Sequence, residues 1–171
     1  KELEFEGAEG VGELTFRSID SDADTGPVIN TDGPIFSYDS QAQIGGETVD
    51  VQAFAEAQSN LYQVLDGKLH VFDPETATYT PAGVDATVTT NAIGFNTEDD
   101  LLYGIAVGNG VDSQGSSVSQ ADLVMIDATG SSYLVGSTPY RSWTGDFDDD
   151  GNLWAFQSSL DRVTKIDVDQ V

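Results

Sequence analysis

Residues Thr144 to Phe156, TGDFDDDGNLWAF, join a carboxylate-dense turn to the start of a strand. Asp146, Asp148 and Asp150 alternate and Gly151 follows, which is the D-x-D-x-D-G opening of a calcium loop. Leu153, Trp154 and Phe156 then begin an apolar, β-prone run. As a metal loop, the stretch presents the three Asp carboxylates to one centre, Gly151 permits the sharp turn, and Asn152 offers its backbone carbonyl at the seventh position. The twelfth position is Gln157 and not the bidentate Glu of a helix-loop-helix site, so the loop leads into a strand. A plain acidic hairpin turn accounts for the same residues without an ion.

Working outward, the strand half of this stretch has two counterparts. Leu followed by an aromatic recurs as Leu61-Tyr62, Leu102-Tyr103 and Leu153-Trp154, each time after an acidic or Asn turn. A spacer follows, and then an apolar-x-x-apolar-Asp element: LHVFD at 69–73, LVMID at 123–127 and VTKID at 163–167. The aromatics lie 41 and 51 residues apart, the longer gap being due to the Gly/Ser-rich excursion at 108–120. A period of about 40 to 45 residues is that of a propeller blade. The second unit divides into four short strands, at 92–95, 101–106, 122–127 and 132–136, as an antiparallel meander.

These observations predict an all-β fold of antiparallel four-stranded repeats, β-propeller-like and partial or small, with a β-sandwich as the alternative. Three repeats are expected at about 51–83, 84–138 and 139–171. Residues 1–50 would supply a strand segment that completes the fold, with strands at Leu3-Phe5, Leu14-Ser18 and Ile35-Tyr38. The stretch 52–60 carries a weak helical signal, but a strand through VQAFA suits the repeat better. A chain that starts at Lys1 and stops in mid-pattern at Val171 is expected to be an excised or processed segment.

Charge narrows the function classes. Thirty Asp and Glu against six Lys and Arg give −24, which repels phosphate backbones and anionic membranes. Neither nucleic acid nor membrane insertion is expected, and no apolar run is long enough to span a bilayer. Such an excess of carboxylates favours bound divalent ions or a saline medium. Without cysteine there are no disulfides and no thiol chemistry, and His70 alone, in the strand LHVF, cannot make a zinc site.

Asp20, Asp22 and Asp24 form a second candidate calcium loop, with Gly26 one place later than the template requires. Asp99 and Asp100 occupy the blade position of Asp149 and Asp150, which places negative charge along one rim. Tyr140, Arg141 and Trp143 are the candidate ligand-binding residues, because a guanidinium beside two aromatics receives a carboxylate or stacks on a sugar. The competing role for all three is blade packing and local charge neutralisation. No nucleophile elbow or phosphate loop is present, so no catalytic residue is assigned.

With the units in view, residues 53–171 resemble bacterial β-propeller-like repeats that read N-L-Y, then L-x-x-I-D-x-x-T-G, then G-D-F-D-x-D-G-N-L. The matching elements are NLYQV, LHVFDPETA, LVMIDATGS and GDFDDDGNLWAF. The resemblance is to repeats of secreted and surface proteins, including large calcium-dependent (RTX-type) adhesins. It implies a calcium-stabilised, non-enzymatic module, extracellular or on the cell surface, that scaffolds neighbouring domains or binds a host glycan or peptide. Two other expectations follow from the residues. One is a metal-dependent propeller hydrolase or lactonase drawing ligands from Asn91, Asn96 and Asp146; the other is a structural domain of a salt-adapted secreted protein.

Overall fold

Alternating apolar and polar residues between Gly, Asp and Asn turns build the described residues largely from short antiparallel strands. The computed structural model describes residues 37–44, 47–55, 60–85, 88–159 and 161–168. The strands expected at Leu3-Phe5 and Leu14-Ser18 and the Asp20-Asp22-Asp24 loop lie outside the described residues, as do residues 56–59 of the weak helical stretch. No α-helix occurs among the described residues.

Three meander sheets follow one another in sequence. The first holds β3 (Leu61–Leu65), β4 (Lys68–Asp73) and β5 (Thr78–Asp85). Asp66 and Gly67, both at positive φ, close its first hairpin with a two-residue turn. The middle sheet holds β6 (Thr90–Asn96), β7 (Leu101–Ala106), β10 (Asp122–Ile126) and β11 (Ser132–Ser137), in that order. These are the four strands expected for the second unit. The last sheet holds β12 (Thr144–Phe147), β13 (Asn152–Phe156) and β14 (Val163–Asp167). The two outer units therefore have three strands each among the described residues, where four were expected.

Two further hairpins occur among the described residues. The excursion after β7 is no loose Gly/Ser loop: β8 (Gly110–Val111) pairs with β9 (Ser117–Val118). Buried Asp112 fastens it, accepting from the amides of Gln114, Ser116 and, across on β11, Leu134. β1 (Ser37–Ile44), in the N-terminal segment, pairs with β2 (Glu47–Phe54) as a separate two-stranded sheet, so residues 51–54, expected to open the first repeat, pair with the N-terminal segment instead. β2 is tied to turns at one end of the middle sheet, because the Phe54 amide donates to the Asp100 carbonyl and the Ala128 amide to the Gln52 carbonyl.

Burial shows how the sheets stack. One face of the middle sheet (Leu101, Tyr103, Ile105, Leu123, Met125) shares a core with Leu153, Ala155 and Ile166 of the last sheet and with Val51 and Ala53 of β2. Its other face (Leu102, Ala106, Val124, Ile126) shares a second core with Val64 and Leu69 of the first sheet and with Phe54. The middle sheet is thus buried on both faces, and each outer sheet on one. Gly94 and Gly145 let β6 and β12 approach closely: a Cβ at Gly145 would lie 2.8 Å from the Trp154 carbonyl oxygen and 3.1 Å from that of Ala92. The sheets are several and small, and none closes on itself among the described residues.

Candidate functional site

The turn between β12 and β13 is organised by one carboxylate. Asp148 Oδ1 accepts from the amides of Asp150 (3.1 Å) and Asn152 (2.9 Å) and from Asn152 Nδ2 (2.9 Å). Its Oδ2 accepts from Trp154 Nε1 at 2.7 Å and from Asn152 Nδ2 at 3.2 Å. The indole N–H first, and then the backbone and side chain of Asn152, hold the Asp148 carboxyl well below the usual carboxylate range. Gly151 takes φ of +72°, and the space a Cβ would need there is filled by the carboxylate of Glu98 from the β6–β7 turn.

That geometry does not fit a calcium centre as it stands. Both oxygens of Asp148 already accept protein donors, and Asp146 Oδ1 accepts from the neighbouring amide of Phe147. Among the described residues no group of three or more His, Asp or Glu side chains is gathered to hold a metal ion. An ion bound by Asp146, Asp148 and Asp150 would compete with the indole and amide donors of Asp148.

The same device recurs at each Leu-aromatic element. Tyr103 donates its hydroxyl to Asp99 Oδ2 at 2.6 Å, and Tyr62 Oη accepts from Asn60 Nδ2 at 3.2 Å. Each unit therefore ties the polar tip of its aromatic to the turn before it, through Asn60, Asp99 or Asp148. This explains why an acidic or Asn turn precedes Leu-aromatic three times. Burial pushes the Tyr62 hydroxyl up, against the opposing bond from Asn60.

The Asp that ends the later strand does similar work. Asp73 accepts from the amides of Glu75 and Thr76 and from the Thr76 hydroxyl, which with the Glu75 amide lowers its pKa. Asp127 accepts from the amide and hydroxyl of Thr129 and the amide of Ser131, and its Oδ2 also receives Tyr133 Oη at 3.1 Å and the Gln52 amide at 3.3 Å. Burial, reinforced by the Asp127 charge, pushes the Tyr133 hydroxyl up to about 12. An open cleft of about 670 Å³ lies beside this group, lined by Gln41, Asp50, Gln52, Asp127, Thr129 and Tyr133 among others. No sequence signal marks it, because it forms only where the β1–β2 hairpin meets the β10–β11 turn.

Of the three candidate ligand residues, Arg141 pairs with Trp143, and Tyr140 pairs with Arg162 instead. The Arg141 guanidinium lies 4.4 Å from the centre of the Trp143 ring, and Arg162 lies 4.7 Å from that of Tyr140. Tyr140 and Trp143 are both exposed, and the Trp143 amide donates to the Phe156 carbonyl. Arg141 Nε is buried without a hydrogen-bond acceptor. Lys165 adds a third pair, 5.5 Å from the Trp154 ring. Of the hydrolase candidates, Asn91 and Asn96 stand near opposite ends of β6, with an irregularity between them where Ala92 takes positive φ. Asn96 Oδ1 instead accepts the Glu98 amide.

No curated protein and no solved structure matches this chain. The model of one family, described as a repeat of unknown function (DUF6923), matches residues 51–171, the span that holds the three recurring Leu-aromatic and apolar-Asp elements. The chain therefore belongs to the family of that repeat.

Proposed function

We propose that the chain is a non-catalytic, propeller-like repeat module of a bacterial adhesin or other extracellular or cell-surface protein, and that it holds neighbouring binding units in place. The observation that carries this reading is the use of its polar groups. Asp99, Asp112, Asp122, Asp127 and Asp148 each accept hydrogen bonds from turn amides or side chains of the repeat itself. Carboxylates so engaged maintain an architecture. The purified chain, given calcium or magnesium and a panel of aryl esters and lactones, should show no turnover; divalent-dependent hydrolysis would overturn the reading in favour of the hydrolase.

Calcium belongs to the proposal as a stabiliser. Exposed Asp149 and Asp150 share the loop with Asp148, and Glu98 presses against it, so added cations relieve repulsion at this rim. A second reading, binding of an acidic glycan or acidic peptide, is favoured by the stacking of Arg141 on exposed Trp143. Titration of tryptophan fluorescence with uronic-acid oligosaccharides and with poly-glutamate tests it. A saturable change that survives Trp154→Phe and is lost in Trp143→Phe supports the site; no change with either ligand removes it.

A further inference from the structure

The three units have a common polarity. In the middle sheet Leu102 faces the first sheet and Tyr103 faces the last. In the last sheet Leu153 faces back toward the middle sheet, and Trp154, its strand neighbour, points away. In the first sheet Tyr62 packs toward the middle sheet and Leu61 points away, 53% exposed. Every unit thus turns its Leu to the preceding unit and its aromatic to the following one.

This polarity gives the two outermost faces a meaning. On the last sheet the outward face carries Trp154, Phe156, Val163 and Lys165. By strand position these correspond to Tyr103, Ile105, Leu123 and Met125, all buried against the last sheet. On the first sheet the outward face carries Leu61, His70, Phe72 and Tyr79, with the Phe72 and Tyr79 rings 4.9 Å apart. Leu61 and Phe72 correspond to Leu102 and Ile126, which are buried against the first sheet. Residues that are core within the molecule therefore recur, exposed or half-exposed, on its two ends. Phe156, Val163, Leu61 and Tyr79 are all exposed.

We propose that these two faces are the halves of one inter-repeat interface, and that a second copy of this chain docks on them head to tail, first sheet onto last. Internal packing supplies the template, since sheet already covers sheet twice in this register. Each copy carries −24 overall, so the apolar contact works against a long-range repulsion that salt screens. The two faces differ, so the contact is heterologous and repeats into a ring or a filament. The proposal rests on sheet polarity alone and goes beyond the ligand reading above.

Sedimentation of the full chain at rising concentration tests it with two variants at exposed positions, Leu61→Asp and Val163→Asp, each checked for native circular dichroism. Wild type should form a concentration-dependent series of oligomers. Each variant alone should stay monomeric, and a mixture of the two should give dimers only, because one intact pair of faces remains. Tyr79→Asp and Phe156→Asp serve as a second pair if either first variant fails to fold. A wild type that stays monomeric overturns the proposal, as do oligomers that survive either substitution and a mixture that fails to dimerise.

Discussion

Trp154 donates its indole N–H to Asp148 Oδ2 at 2.7 Å, across the hairpin turn that Asp148 itself holds together. One contact thus joins the acidic turn to the aromatic of the Leu-aromatic pair. The D-x-D-G-N-L-W run is a folding unit whose first Asp is an acceptor hub. Asp148→Ala should lower the melting temperature by several degrees, and Trp154→Phe, which removes one donor, by less. Equal effects would mean that the turn amides contribute little.

Acid should expose the same group. The folded-state pKa of Asp148 is depressed, so its stabilisation is fully present above the unfolded value of about 3.9 and is lost as pH falls below it. Thermal unfolding of wild type and Asp148→Ala should therefore differ most above about pH 5 and converge toward pH 2. A gap that is constant over this range would contradict the assignment.

Tyr133 provides the alkaline counterpart. Its folded pKa is raised to about 12, so the stabilisation it gives is complete below the unfolded value of about 10 and is lost as pH rises through 12. In a spectrophotometric titration one tyrosine should ionise near pH 12, and Tyr133→Phe should abolish that step. Asp127→Asn removes the charge that opposes ionisation and should bring the step to lower pH.

Much of this could be read from the sequence, and the residues show why. Leu-aromatic and apolar-x-x-apolar-Asp mark β7, β10, β13 and their turns, because strand period and turn chemistry are local. All four strands of the second unit were legible for the same reason. Alternating Asp also has a local signature, but whether it binds an ion or caps a turn depends on where Trp154 and Asn152 point, and that is tertiary information. The meeting of Glu98 with Gly151, the pinning of the 108–120 excursion by Asp112 and the cleft beside Asp127 all join distant segments and leave no pattern along the chain.

Close approach of the middle and last sheets depends on glycine. Gly94→Ala, on β6, places a methyl 2.8 Å from the Phe147 ring and 3.2 Å from the Asp146 Cα of β12, and should destabilise by about 1–3 kcal/mol in urea unfolding. Gly108→Ala meets no atom within 4 Å and should be nearly neutral. Equal costs would show that β6 and β12 do not pack as described.

Cations should stabilise by screening if the 144–156 loop is a hydrogen-bonded turn. Sodium chloride and calcium chloride at matched ionic strength should then raise the melting temperature alike. A further rise specific to calcium, abolished by Asp148→Asn, would show that the loop opens to take the ion.

The central claim is a stack of three repeats whose middle sheet is buried on both faces. Native-state hydrogen exchange, read amide by amide, tests it most directly. The slowest amides should lie in β7 (Leu101–Ala106) and β10 (Asp122–Ile126), with β5 and β14 at the outer sheets exchanging faster. Equal protection across the three sheets, or greatest protection in an outer one, would contradict the stack.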